Sequence, residues 1–139
     1  MMRSLTTLIL VMAAAGLWLT NASATPQSPA REEAKQLKSP VPSDDTTAAE
    51  GKKIYARYCA SCHGPQGKGD GALALAGGTP SDLTDEVWDF GATDGEIFLA
   101  IREGVSSDML AYKDRLTDKQ IWQTVVFLRS IGPKAKENK

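Results

Sequence analysis

Apolar and polar positions divide the chain into a leader of one character and a remainder with helical periodicity. Residues 5–19 are uncharged and dominated by Leu, Ile, Val, Met and Ala, and no comparable run follows. Further on, apolar and small residues recur three and four apart, the spacing that brings side chains onto one face of a helix. Gly51, Tyr55 and Tyr58 share such a face, which predicts a helix over residues 48–59 opened by a capping-box pair, Thr47 and Glu50. Ile97, Phe98 and Ile101 form a second stripe over residues 95–103, opened by Thr93 and Glu96 and closed by Gly104. Ile121, Trp122, Val125, Val126 and Leu128 form the third, over residues 117–130, with Gly132 and Pro133 as the stop. A short helix is also expected over residues 83–90. Val125 to Leu128 alone would suit a strand, but they lie inside a capped helical period. The fold class expected is therefore all-α, four or five short helices around one core.

The intervals carry information too. Residues 25–45 contain Pro26, Pro29, Pro40 and Pro42 and few large apolar side chains, so they read as a proline-rich, disordered linker, extended and solvated. A helix across residues 30–37 would have nothing to pack against. Residues 64–80 hold half of the chain's twelve glycines. A loop of that length in a small domain is unusual unless it wraps something, which points to a bound group. The domain is placed at residues 46–132, with a charged tail over 133–139.

Composition removes several classes. With a net charge of -1 the chain lacks the positive field of a nucleic-acid binder, and two cysteines in 139 residues are too few for a disulfide-built miniprotein. The leader has the three parts of an export signal: Arg3, the apolar run, and the small residues Ala22-Ser23-Ala24, with cleavage expected after Ala24. Its 15-residue apolar part is shorter than the roughly 20 residues that span a bilayer, so an uncleaved anchor is the second reading. Removal of residues 1–24 takes the net charge to -2, too small for long-range steering of one sign.

Both cysteines and the single histidine fall in one pentapeptide, Cys59-Ala60-Ser61-Cys62-His63. This is the C-x-x-C-H pattern of c-type haem attachment: two thiols one turn apart add to the haem vinyl groups, and the adjacent imidazole ligates the iron. A disulfide or a thiol redox pair competes, although the βαβ setting of the latter is absent, and zinc would lack ligands. No second histidine exists for the other face of the iron. Met1, Met2 and Met12 belong to the leader, which leaves Met109, a candidate ligand that would serve equally as a core gap-filler.

Taken together, residues 47–131 resemble a small bacterial class I c-type cytochrome. The resemblance rests on Gly51 and Tyr55 ahead of Cys59, Cys62, His63 and Gly64, on Gly67-Lys68-Gly69-Asp70-Gly71, on Pro80 and Leu83, and on Met109 before a terminal helix opening Ile121-Trp122. It implies the cytochrome c fold and one haem c per chain. By the same resemblance Cys59 and Cys62 are the thioether positions, His63 the proximal ligand and Met109 the distal ligand. Gly51 and Tyr55 would pack across the last helix near Phe127, the Pro80 carbonyl would accept from His63 Nδ1, and Trp88 would reach a haem propionate. Ile97, Phe98, Ile101, Leu116 and Trp122 would wall the haem. One departure stands out: Leu110 follows the methionine where the family commonly has proline. The function implied is a periplasmic one-electron carrier, not an enzyme, exchanging electrons with a periplasmic donor and acceptor. It would bind no nucleic acid, and would be held at the membrane only if the signal stays uncleaved. A catalyst or gas binder with an open or displaceable sixth position is the alternative, and a colourless disulfide-stabilised binding domain the third reading.

Overall fold

The computed structural model describes residues 29–74 and 78–134. It contains helices α1 (Pro29–Ala34), α2 (Asp45–Tyr58), α3 (Ala60–His63), α4 (Asp94–Glu103) and α5 (Asp118–Ile131), and no strand among the described residues. The expected all-α class is observed. The export signal expected at residues 1–24 lies outside the described residues, and no helix among those described is long and apolar enough to cross a membrane.

Helices α2 and α5 cross at Gly51, where a Cβ would run into the backbone of Gln123 and the side chain of Phe127. The missing side chain lets the two backbones approach, and Tyr55, one turn on, then lays its ring against Phe127 with centroids 5.1 Å apart. Helix α4 closes the third side through Phe98, which stacks on Trp122 of α5 at 4.4 Å. The core comprises these residues with Ile97, Ile101, Leu116, Ile121, Val125 and Leu128.

The caps explain where the helices start. Thr93 with Glu96 forms the reciprocal capping box expected for α4, and Thr117 with Gln120 forms another for α5. Helix α2 instead begins three residues before the expected boundary. Asp44, not Thr47, caps it, accepting from the Thr47 N–H at 2.7 Å, while Glu50 pairs with Lys53 at 2.6 Å. A carboxylate suits the positive end of the helix dipole better than a hydroxyl. The hydrogen bond from the Thr47 amide accordingly holds the Asp44 carboxyl below the ordinary carboxylate range.

Two expectations are corrected. Residues 83–90 form turns, not a helix: Asp82 Oδ1 accepts from the amide and hydroxyl of Thr84, and Asp85 Oδ1 from the amide of Val87. Short acidic side chains here capture the amides that a helix would have used. The proline-rich segment is not a free linker over its described part. Helix α1 forms and docks on α4, with Ala34 only 1% exposed. A Cβ on Gly95 would collide with the Ala34 carbonyl, so it is the glycine in the first turn of α4 that opens the seat. Val41 also packs against the core.

Substituting Gly51→Ala should lower the unfolding free energy by about 1–3 kcal/mol, because the obstructing atoms are backbone and cannot swing away. Chemical denaturation of the two proteins checks this, and equal midpoints would show that the crossing is not tight.

Candidate functional site

Helix α2 ends at Tyr58, and the chain turns immediately into α3. Amides of Cys62 and His63 both bond the Cys59 carbonyl, at 3.1 and 2.9 Å, so one turn carries the two thiols and the imidazole. The last carbonyls of such a turn have no partner within the helix. Here the glycine-rich loop supplies them. Gly69 N–H donates to the His63 carbonyl at 2.9 Å, Gly71 N–H to Cys62 at 3.0 Å and Leu73 N–H to Ser61 at 2.8 Å. A Cβ on Gly71 would strike the Ser61 and Cys62 carbonyls, which is why this contact needs glycine. Tyr55, 2% exposed, donates from its hydroxyl to the Gly64 carbonyl at 2.6 Å and ties the turn to the core.

A cavity of about 530 Å³ opens beside this turn. All six residues singled out in the sequence line it: Cys59, Cys62, His63, Pro80, Trp88 and Met109. Its other walls are largely apolar, with Ile97, Ile101 and Leu128 from the core and Leu73, Val87 and Phe90 nearer the surface. Of the expected wall, Phe98, Leu116 and Trp122 stay behind in the core and do not face the cavity.

His63 Nδ1 lies 3.0 Å from the carbonyl of Ser81. The carbonyl of Pro80, expected in that place, points at Gly69, against which a Cβ would collide. Donation to Ser81 fixes the tautomer that leaves Nε2 with its lone pair for a metal. The indole N–H of Trp88, expected to reach a propionate, donates instead to the Asp85 carbonyl at 3.0 Å, because the turn at Asp85 brings that carbonyl to the edge of the ring. Met109 is half-buried and reaches the cavity from a loop bonded to itself. Its amide donates to Ser106 Oγ at 3.1 Å, and its carbonyl accepts from Val105 at 3.0 Å. Tyr112, which sequence reasoning missed, also lines the cavity and donates to the Tyr58 carbonyl at 3.0 Å. It lies in a stretch without periodicity, and Ser81 acts through its backbone, so neither gave a signal.

The Cys59 thiol behaves as an apolar group here. Burial, and secondarily the neighbouring Cys62, push the Cys59 thiol up to about 12. A thiol redox pair needs the opposite shift. Among the described residues no group of three or more His, Cys, Asp or Glu converges to hold a zinc ion. A flat apolar group carrying a metal that takes one nitrogen and one sulfur ligand fits this site, as haem does.

The family described as cytochrome c oxidase, cbb3-type, subunit III matches residues 46–128. The FixP subunit of the cbb3-type cytochrome c oxidase of Bradyrhizobium diazoefficiens is 34% identical over 85 residues, which are 61% of this chain and 28% of the relative. The chain thus spans less than a third of the length of that relative. Among solved structures, a reducing HAO-like protein complex of Kuenenia stuttgartiensis aligns with a TM-score of 0.62 at 27% identity, covering 70% of this chain and 48% of that one. Cytochrome cL of Methylophaga aminisulfidivorans aligns at 0.60 and 22% identity, covering 81% and 72%, and shares the fold.

Substituting Gly71→Ala should push the loop off the turn and destabilise the folded protein by about 1–3 kcal/mol. Guanidinium unfolding measures it, and an unperturbed midpoint would mean that the loop does not brace the turn.

Proposed function

The chain belongs to the family described as cytochrome c oxidase, cbb3-type, subunit III, and from that premise we propose that it is a periplasmic one-electron carrier in which Cys59 and Cys62 bond the haem and His63 and Met109 are its axial ligands. The domain is a class I cytochrome c domain, and its cofactor is haem c. When bound, haem c supplies reversible one-electron exchange between ferrous and ferric iron. The observation that most supports the ligand set is that two thiols, an imidazole and the single methionine among the described residues line one apolar cavity.

Each residue has a part in this reading. Cys59 and Cys62 hold the group to the end of α2 irrespective of its oxidation state. The Ser81 carbonyl orients His63 and makes its ring a stronger ligand. Met109 offers a soft thioether, which favours the reduced state, and the apolar walls penalise the extra positive charge of the oxidised state. Both effects set the reduction potential on the positive side. With two side chains on the iron no position is left for substrate, so the chain itself is a carrier and not an enzyme. Its donor and acceptor are periplasmic redox proteins. The similarity to oxidase subunits supports a terminal oxidase as one of them.

One observation favours the alternative of a displaceable sixth position. Leu110, next to Met109, is 59% exposed and lacks the fixed φ of proline, so the backbone after the methionine is less restricted than a proline would make it. Carbon monoxide separates the two readings: a carrier with both positions held binds it slowly without denaturant, whereas rapid binding marks an open site. Met109→Ala should keep the covalent haem and lower the reduction potential sharply in potentiometric titration. An unchanged potential would remove Met109 as ligand.

A further inference from the structure

Beside the Cys59–His63 turn, two arginines bracket a pair of tyrosines. Tyr58 and Tyr112 meet edge to face with ring centroids 6.3 Å apart, and both line the cavity. The Arg57 guanidinium sits 5.3 Å from the Tyr58 ring centroid and that of Arg115 sits 5.9 Å from the Tyr112 centroid. Both arginines are exposed. Neither has a carboxylate partner among the described residues, in contrast to Arg102 with Asp118 and Arg129 with Asp94. Asp114, the neighbour of Arg115 in sequence, makes no ion pair with it. Two guanidiniums are thus held in place by aromatic faces, with their hydrogen-bonding forks unspent.

We propose that Arg57, Tyr58, Tyr112 and Arg115 form the docking site for a redox protein that presents a carboxylate-rich patch. Carboxylates accept from the two guanidinium forks, and the half-buried tyrosine pair between them supplies the aromatic faces that hold both guanidiniums in place. Tyr58 immediately precedes Cys59, and the docked partner then sits one residue from a covalent attachment point of the haem.

This inference rests on the carrier reading above. It is tested on the ferrous haem-loaded protein, labelled with nitrogen-15 and titrated with poly-L-glutamate at low salt while amide shifts are followed. Shifts should centre on residues 57–60 and 112–116. The apparent affinity should weaken at least about tenfold in R57Q/R115Q, which keeps much of the side-chain stems but removes both charges. The double lysine variant R57K/R115K keeps the charge without the fork and should retain only part of the affinity. If R57Q/R115Q does not fold, each single substitution is read in the same way, with a partial loss expected. Shifts that centre elsewhere, or that are unchanged by removal of the arginine charges, overturn the site. Binding to phosphatidylglycerol vesicles without binding to polyglutamate also overturns it, in favour of a membrane surface. Absence of a covalent haem spectrum would instead overturn the carrier reading, whereas a coloured, redox-active protein indifferent to these substitutions overturns only the docking site.

Discussion

Three backbone carbonyls at the end of one helical turn set the terms for everything else in this structure. Those of Ser61, Cys62 and His63 would go unpaired where the turn stops, and the loop from Gly69 to Leu73 caps all three with its own amides. Each of these hydrogen bonds contributes about 0.5–1.5 kcal/mol, so the loop and the turn support one another. The glycine content of the loop follows from this. The chain must lie against the turn with no side chain between, and Gly71 marks the closest approach.

The turn is in turn mounted on the rest of the fold. Tyr55 reaches from α2 to the Gly64 carbonyl, and its ring is fixed by Phe127, which comes close only because Gly51 lets α5 in. From there Gly67 accepts from the Leu83 amide at 2.6 Å, which carries the loop to the segment whose Ser81 carbonyl meets His63. A chain of short contacts therefore runs from a helix crossing to the orientation of one imidazole. Met109 stands outside it, on a loop braced mainly by its own hydrogen bonds. The methionine side of the site is therefore tied to the helix Asp94–Glu103, through Tyr112 and Ile101, and not to the helix crossing at Gly51.

Much of this was legible in the sequence, for identifiable reasons. The helices α2, α4 and α5 announce themselves by apolar spacing, α4 by its cap as well, and the attachment motif by its compact chemistry. Met109 emerges by elimination, because the leader takes the other methionines. Several features that escaped depend on backbone, on absent side chains or on local competition for amides. The docking of α1 is decided by Gly95 having no Cβ, a property of the partner surface that no pattern within residues 29–45 reveals. Ser81 in place of Pro80 is a matter of which carbonyl turns inward, and carbonyls look alike in every residue. The helix expected over residues 83–90 gives way to turns because Asp82 and Asp85 compete for nearby amides, a contest that periodicity does not weigh.

The central claim is that Cys59, Cys62, His63 and Met109 converge on one haem. The visible absorption spectrum of the protein produced in a host with c-type haem maturation, recorded oxidised and reduced, tests it most directly. Sharp bands on reduction together with a weak far-red sulfur-to-iron band in the oxidised form are the predicted result. Haem bands without the sulfur band would contradict the assignment of Met109, and a colourless folded protein would contradict the account as a whole.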